Sequence, residues 1–326
     1  MSTLASPLPV TGSNLNRPES VIALADGRLY AGDKEFGVIR VGDRRDPAAR
    51  VDWPFEEFVP NGIALLEDGT FLIANVGPEG GAWRLTAPGK IERFLGEREG
   101  VPSTPLNFLY PDQHGRIWLS LCTRNKPRTL AFRSPTANDG AIGVVGRSGR
   151  MEVVASGLGF NNEVRVDPSG RWLYANETYA RRLSRFEIRP GDRLGPRETV
   201  AEFGRGTWPD GLEFDSEGGV WVTSIISNRL LHVDPRSGRS EVLLEDCADD
   251  AIAHAEEAFT ADRFGWEELG IGKNYSLRNI SSLAFAGPDL RTVYLGSLFN
   301  QGLSTWRAPV AGQAPEHWNY GPTIVD

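Results

Sequence analysis

The sequence predicts an all-β protein, a six-bladed β-propeller whose four-stranded antiparallel blades surround a central channel. Three observations support this: an oxygen-bearing side chain is followed eight residues later by glycine five times, each glycine precedes an apolar strand, and the repeat has the length of one blade. The repeated pairs are Glu19 with Gly27, Asn61 with Gly69, Asn107 with Gly115, Asn162 with Gly170, and Asp210 with Gly218. We expect residues 1–326 to form a single propeller domain.

The repeat length supports the count of six blades. The first residues of consecutive pairs lie 42, 46, 55 and 48 residues apart, which matches the roughly 40–50 residues of a four-stranded blade. A sixth, degenerate unit begins near Ser281, where a longer turn lacks the glycine of the other units. Either segment 8–10 or segment 317–320 could supply the strand that completes the sixth blade.

Strand patterns within each unit support an antiparallel meander. The turn glycines lead into short apolar segments such as 70–73 and 220–222. Further along the units, segments such as 229–233 precede turn clusters such as 235–238. Short strands with alternating apolar and polar residues, separated by turn residues, are typical of propeller blades.

Two insertions interrupt the repeat. Residues 123–140 form a polar stretch inside the third unit, and residues 247–277 separate the fifth unit from the sixth. The alanine-rich segment 251–259 predicts a short helix in the second insertion. Such insertions emerge at the loop ends of a propeller, where they serve as lids or as surface decoration, and the sequence leaves both roles open.

Composition excludes several classes of partner. The net charge is −8, from 35 basic and 43 acidic residues, with no basic run, so we expect neither nucleic acid nor an anionic membrane as a partner. No apolar run reaches the roughly 20 residues of a membrane span, and residues 1–18 lack the features of a signal peptide. The two cysteines, Cys122 and Cys247, do not make a disulfide framework, so a reducing cytoplasmic location is expected. The oligomeric state is not indicated.

The polar residues of the repeat predict a metal site. The first strand of each propeller blade lines the channel, so equivalent residues of all blades meet at one mouth. This column consists of Glu19, Asn61, Asn107, Asn162, Asp210 and Ser281. Carboxylate and amide oxygens, without histidine or cysteine, suit Ca²⁺, Mg²⁺ or Mn²⁺ better than a zinc site. Without a cation, the two carboxylates would repel each other and one would tend to hold a proton.

The same residues also have a purely structural interpretation. Asn61-Gly62 and Asp210-Gly211 are ordinary turn dipeptides, and Asn or Asp before a strand often caps its own backbone. Glu19 and Asn162, however, occupy the column without a following glycine. Turn chemistry therefore does not account for the whole set, and Glu19, Asn162 and Asp210 are the strongest ligand candidates.

Over roughly residues 19–297 the sequence resembles the senescence-marker-protein, gluconolactonase and luciferin-regenerating-enzyme family. The resemblance is carried by segments 17–21, 107–118, 162–174, 208–212 and 286–291. It implies a propeller with a catalytic divalent ion, usually calcium, although Mn²⁺, Mg²⁺ or Zn²⁺ would also be compatible. The family's metal ligands correspond to Glu19, Asn162 and Asp210, and Asn107 corresponds to a residue that contacts the metal or the substrate.

The chain departs from the family pattern around the predicted pocket. Asn107 is followed by Phe108 rather than by aspartate, and segment 102–106 lacks the arginine that grips sugar hydroxyls in the family. The predicted pocket consists of Asn61, Phe108, Phe160, Trp208, Ser281 and Arg124. Its aromatic residues weaken the case for a sugar lactone. Arg124, Lys126 and Arg128 could bind an anionic substrate group, although such residues are more often solvated.

Together these inferences predict a metal-dependent hydrolase of the lactonase or esterase type, with a small lactone or related cyclic ester as substrate. In this prediction the ion polarises the carbonyl, Asp210 acts as general base toward water, and Asn107 orients the substrate. Phosphotriester hydrolysis, or ring opening or closing in a biosynthetic pathway, are alternatives for the same site. A ligand-binding propeller with a structural calcium is the non-enzymatic alternative, because a fold does not determine function.

Overall fold

A computed structural model describes residue 4 and residues 6–96, 99–132 and 138–323. Within these residues, strands form six antiparallel sheets, which are the blades of the predicted β-propeller. The predicted insertion 123–140 lies only partly within the described residues, because positions 133–137 are outside them. No helix in the described part of the chain is both long and apolar enough to cross a membrane.

The first half of the chain supplies the N-terminal strand and three blades. The N-terminal strand is β1 (Val10–Thr11), and blade one comprises β2 (Val21–Ala23), β3 (Leu29–Asp33) and β4 (Gly37–Arg40). Blade two comprises β5 (Pro60–Leu65), β6 (Phe71–Asn75), β7 (Ala82–Ala87) and β8 (Lys90–Leu95). Blade three comprises β9 (Leu106–Pro111), β10 (Ile117–Leu121), β11 (Gly140–Val145) and β12 (Met151–Leu158).

The second half supplies the other three blades. Blade four comprises β13 (Asn161–Val166), β14 (Trp172–Glu177), β15 (Arg182–Arg189) and β16 (Arg193–Glu202). Blade five comprises β17 (Trp208–Phe214), β18 (Val220–Ile225), β19 (Arg229–Val233) and β20 (Ser240–Glu245). Blade six comprises β21 (Ile280–Ala286), β22 (Thr292–Ser297) and β23 (Leu303–Arg307).

The N-terminal strand completes blade six. Strand β1 pairs antiparallel with β23, with Val10 opposite Ser304 and Thr11 opposite Leu303. Of the two candidate segments, 8–10 is therefore the one that contributes, and it overlaps this strand at Val10. Segment 317–320 instead lies in and just after a 3-10 turn over Glu316–Asn319, and the Ala25 amide donates a hydrogen bond to the Trp318 carbonyl at 2.8 Å. Among the described residues, blade one has three strands, whereas each of the other five blades has the predicted four.

The five turn glycines explain why the blades repeat. Gly27, Gly69, Gly115, Gly170 and Gly218 all have φ between +72° and +89°, a region that side chains strongly disfavour. Each glycine amide donates to the carbonyl three residues earlier, which closes the same tight turn in all five blades. The longer turn of blade six instead places Leu290 in the left-handed region, with φ 51°.

Helical segments of the two insertions pack against each other. The second insertion contains the predicted helix, α1 (Asp249–Thr260), followed by α2 (Trp266–Leu269) and a 3-10 turn over Ile271–Asn274. The first insertion contains a 3-10 segment over Arg128–Phe132. A further 3-10 turn spans Pro47–Ala49. The ring centroids of Phe132 and Trp266 are 5.4 Å apart in an edge-to-face arrangement, so the two insertions form one aromatic contact.

Candidate functional site

Register irregularities interrupt the innermost strands of blades two to six at the predicted column of polar residues. They lie between Pro60 and Ile63, at Asn107, between Asn161 and Val164, between Pro209 and Leu212, and between Ile280 and Ser282. Each places one more residue on the inner strand than on its partner. Such β-bulges re-aim side chains and are common beside active sites. The column residues of these five blades therefore lie at equivalent β-bulges.

Four of the bulged residues meet Glu19 of blade one at a single cavity. This cavity of about 40 Å³ is lined by Glu19, Asn61, Asn107, Asn162 and Asp210, together with apolar residues and two arginines. The structure therefore brings all four predicted metal ligands together. Glu19, Asn162 and Asp210 are at most 4% exposed, so the cavity lies inside the channel.

Glu19 is held from two sides, and one of its carboxylate oxygens is left without a partner. Asn61 Nδ2 donates a hydrogen bond to Glu19 Oε1 at 3.0 Å. Ser281 Oγ donates to the Glu19 main-chain carbonyl at 2.9 Å, which links blade one to blade six. The buried Oε2 atom of Glu19 has no hydrogen-bond partner among the described residues.

Asn162 and Asp210 show the same arrangement. Asn162 Nδ2 donates to Thr178 Oγ1 at 3.0 Å, while Asn162 Oδ1 is buried without a partner in the described part of the chain. The Asp210 main-chain carbonyl accepts a hydrogen bond from Asn176 Nδ2 at 3.0 Å, while Asp210 Oδ1 is likewise buried without a described partner. The surrounding contacts therefore fix the Asn162 side chain and the Asp210 main chain, and one side-chain oxygen of each residue has no described partner.

Three unpartnered, buried oxygens at one cavity fit a hard divalent cation. Leaving such atoms without a partner is costly, and carboxylate and amide oxygens are the ligands that calcium and magnesium prefer. No group of three or more His, Cys, Asp or Glu residues that could hold a metal occurs in the described ranges. The candidate set instead combines the carboxylates of Glu19 and Asp210 with the amide of Asn162. Asn107 differs, because its Oδ1 atom accepts a hydrogen bond from Asn61 at 3.2 Å.

The electrostatics of the two carboxylates also favour a cation. Burial raises the pKa of Glu19 to about 7, although the positive charge of Arg17 opposes this shift. Burial and the nearby negative charge of Glu19 raise the pKa of Asp210 well above its usual range. Because both shifts disfavour the charged form, a bound cation would relieve an unfavourable electrostatic arrangement.

The predicted substrate pocket is only partly present at this cavity. Asn61 and Phe160 line it, whereas Phe108, Trp208, Ser281 and Arg124 do not. Phe108 follows Asn107 on the same strand and lines a separate cavity of about 200 Å³ beside Arg165. Trp208 is fully buried among aromatic residues, with its ring centroid 5.8 Å from that of Phe264.

The other two predicted pocket residues have different surroundings. Ser281 supports Glu19 through its hydrogen bond to the main chain and thus acts behind the cavity. Arg124 is exposed, and its main-chain amide donates to Asp139 at 2.8 Å. Repeat spacing assigned Ser281 to the pocket and positive charge assigned Arg124, but the structure places both side chains elsewhere.

Two arginines line the cavity that were not selected as pocket residues from the sequence. Arg17 lies two residues before Glu19 and has φ 61°, and it donates to Asn61 Oδ1 at 2.6 Å. Arg128 reaches the cavity from the first insertion, next to Phe132, while Leu269 reaches it from the second. Both insertions therefore contribute to the cavity wall, which is the placement expected of a lid rather than of surface decoration.

The cysteines provide no competing nucleophile at this site. Both are unpaired and buried in the described structure. Burial raises the pKa of Cys122 to about 12, so its thiolate is scarce at neutral pH. Cys122 is therefore a small core residue.

The fold and the site define a six-bladed propeller with a buried cavity lined by carboxylate and amide side chains. The family described as SMP-30/Gluconolactonase/LRE-like region matches residues 17–245, and the chain belongs to this family. Comparison with curated proteins gives no match.

Solved structures share the fold at low sequence identity. A luciferin-regenerating enzyme has a TM-score of 0.62 and 16% identity, covering 97% of this chain and 96% of its own. A gluconolactonase from Xanthomonas campestris has a TM-score of 0.62 and 17% identity, covering 94% and 92%. The calcium-binding protein regucalcin from Agrobacterium tumefaciens has a TM-score of 0.60 and 17% identity, also covering 94% and 92%.

Proposed function

We propose that the protein is a divalent-metal-dependent hydrolase that opens a lactone or related cyclic ester, with Ca²⁺ as the preferred ion. The observation that carries the proposal is the set of three buried, unpartnered oxygens, Glu19 Oε2, Asn162 Oδ1 and Asp210 Oδ1, at one cavity. Family membership and the gluconolactonase among the structural neighbours support this reaction class. A bound divalent cation supplies polarisation of the substrate carbonyl and stabilisation of developing negative charge.

In this proposal Asp210 is the general base. It accepts a proton from a water molecule as the water oxygen bonds to the carbonyl carbon. The ring C–O bond then breaks, and the proton passes from Asp210 to the departing ring oxygen to give a hydroxy acid. Burial raises the pKa of Asp210, which strengthens it as a base, although a cation would offset part of that increase. Glu19 and Asn162 hold the cation, and Asn107 orients the substrate.

The cavity wall favours a substrate with an apolar portion. Phe132, Phe160 and Tyr179 form an aromatic cluster here, and the distances between their ring centroids are 4.9 to 5.4 Å. Leu269 and Leu298 complete the apolar lining. A sugar exposes hydroxyls on all sides, and hydroxyls that face an apolar surface would lose hydrogen bonds to water without gaining partners.

The test is proton release from a panel of sugar, aliphatic and aromatic lactones, measured after metal removal and again with added Ca²⁺, Mn²⁺, Mg²⁺ or Zn²⁺. We expect metal-dependent turnover that Asp210→Asn abolishes, with aliphatic or aromatic lactones preferred over sugar lactones. The Glu163→Gln variant is the matched control, because Glu163 is a neighbouring buried carboxylate whose Oε2 atom already accepts the Leu212 amide at 3.2 Å.

Adding a phosphotriester and a fluorophosphate to the same panel distinguishes the lactonase proposal from its main enzymatic alternative, a phosphotriesterase. Turnover of these compounds without lactone turnover would replace the lactonase proposal with a phosphotriesterase. Metal binding without turnover of any compound would instead favour a ligand-binding propeller with a structural ion.

A further inference from the structure

Arg128 occupies a position between two cavities. It lines the 40 Å³ cavity that contains Glu19 and Asp210, and it also lines a neighbouring cavity of about 390 Å³. The larger cavity is bounded by Phe58, Val59 and Trp266 on its apolar sides. A molecule in the larger cavity would therefore pass the Arg128 side chain before it reached the candidate metal ligands.

An aromatic ring holds the Arg128 guanidinium in place, and no hydrogen bond to a described residue contributes to its position. Its central carbon lies 5.0 Å from the ring centroid of Trp266, a cation–π contact that links the two insertions. No hydrogen bond or salt bridge joins Arg128 to any residue that the structure describes. The guanidinium carries five N–H donors in a planar fork, and none of them has a described protein acceptor.

Other arginines near the channel already have acceptors. Arg17 donates to Asn61 Oδ1 and to the Pro60 carbonyl. Arg165 donates to the Leu212 carbonyl at 2.6 Å and forms a salt bridge with Glu213 at 3.0 Å. Among these three cavity-lining arginines, Arg128 is therefore the one without an acceptor in the described ranges 6–96, 99–132 and 138–323.

We propose that Arg128 binds a carboxylate of the substrate, so that the protein selects lactones that carry a carboxylate on the ring or on a short substituent. This inference rests on the proposed lactone hydrolysis. A guanidinium binds a carboxylate through two parallel N–H···O bonds, a geometry that a neutral hydroxyl cannot reproduce. With the carboxylate at Arg128, the ester carbonyl lies toward Asp210 and the apolar portion lies against Trp266.

The charges around the larger cavity support one anionic group rather than several. Lys34 and Lys126 line this cavity with Arg128, and Glu56 and Glu57 line it as well. The three cationic and two acidic residues leave a single excess positive charge, which matches a monoanionic substituent. The acidic residues would oppose a second anionic group by like-charge repulsion.

The test compares two γ-lactones that share a ring and differ only in a carboxylate or a carboxamide substituent. We expect native protein to show the higher kcat/KM with the carboxylate. Arg128→Gln should lower kcat/KM for that compound roughly 10- to 100-fold, the range for a lost hydrogen bond to a charged group, and change the carboxamide rate little. Arg124→Gln is the matched control, because this exposed arginine of the same insertion does not line either cavity.

Arg128→Lys and thermal melting separate recognition from folding. Lysine keeps the charge but loses the fork, so we expect partial retention of the carboxylate preference with a native-like melting curve. An equal loss of rate for both compounds in Arg128→Gln, or a native preference for the carboxamide, would overturn the proposal.

Calorimetry with the same two compounds distinguishes this inference from the proposed reaction. If native protein hydrolyses neither lactone, the proposed function fails, but Arg128 still predicts tighter binding of the carboxylate and loss of that difference in Arg128→Gln. If native protein hydrolyses lactones yet binds the two compounds equally well, the reaction stands and the assignment of Arg128 is wrong. Absence of binding for both compounds contradicts the assignment as well.

Discussion

The side-chain amide of Asn61 donates a hydrogen bond to Glu19 Oε1 at 3.0 Å, and this contact directs the other Glu19 oxygen into the cavity. Arg17 fixes the orientation of the Asn61 amide by donating to its Oδ1 atom at 2.6 Å. Asn61 therefore positions a candidate metal ligand instead of offering its own oxygen. Blades one and two are coupled at the site through this chain of three side chains.

Replacing Asn61 with alanine should weaken calcium binding about tenfold, because partners that orient metal ligands typically contribute 10- to 100-fold to affinity. Isothermal titration calorimetry of metal-depleted protein measures the effect. The melting temperature without calcium serves as the folding control. Unchanged affinity in a folded Asn61→Ala variant would show that Glu19 does not depend on this hydrogen bond.

Replacing a candidate ligand carboxylate by the corresponding neutral amide should have a larger effect than removing an orienting group. We expect Glu19→Gln and Asp210→Asn each to reduce calcium affinity by more than about 100-fold, beyond the usual contribution of orienting residues. Glu163→Gln changes a buried carboxyl group in the same channel but should retain affinity within a few-fold, because Glu163 does not line the cavity. Equal losses in all three variants would indicate general electrostatics instead of ligation.

Calcium should stabilise the protein more at alkaline than at acidic pH. Burial raises the pKa of Glu19 to about 7, so the metal-free folded protein retains a proton that the unfolded chain releases near its ordinary pKa. This contribution favours the metal-free fold at low pH and is lost as the pH rises through about 7. Calcium competes with that proton, so its effect on the melting temperature should be large near pH 8 and small near pH 5. Melting curves across this range, with calcium or with chelator, provide the measurement, and a pH-independent calcium effect would contradict it.

A second aspartate, Asp215, should be essential for stability and not for metal binding. Its buried carboxylate accepts hydrogen bonds from the Gly219 amide at 2.7 Å and the Trp221 indole at 2.9 Å, and it contacts His232 Nε2 at 2.9 Å. Asp215→Ala would leave buried donors unpaired and should lower the free energy of unfolding by about 2–4 kcal/mol. Chemical denaturation measures the loss.

Asp234 provides the matched control for Asp215. It accepts the Arg236 amide at 2.9 Å in a similar turn, but at the protein surface. Asp234→Ala should therefore change stability little. A comparable loss in both variants would mean that burial of the Asp215 network is not the source of its effect.

The fold was predictable because local chemistry repeats. Gly27 and Gly218 close equivalent turns nearly two hundred positions apart, and their positive φ values explain why glycine recurs there. Closure of blade six was not predictable, because the pairing of Val10 with Ser304 joins the two ends of the chain. A two-residue strand has too little pattern of its own to identify its partner.

The candidate site was partly predictable for a similar reason. Glu19, Asn162 and Asp210 share a position in the repeat, so their meeting followed from the fold. The role of each neighbour did not, because bulges and hydrogen-bond partners determine which oxygen remains available. Arg128 could not be separated from Arg124 by sequence, since its location depends on contact with Trp266, more than a hundred residues away.

The most direct test of the central claim is the position of a divalent ion in crystals grown with Mn²⁺, located by its anomalous scattering. We expect one strong peak in the channel, within coordination distance of Glu19 Oε2, Asn162 Oδ1 and Asp210 Oδ1. Excess calcium should displace the manganese and remove the peak, because the anomalous signal of calcium is weaker. A channel without a peak in protein that binds Mn²⁺ elsewhere, or a peak that persists in the Asp210→Asn variant at full occupancy, would contradict it.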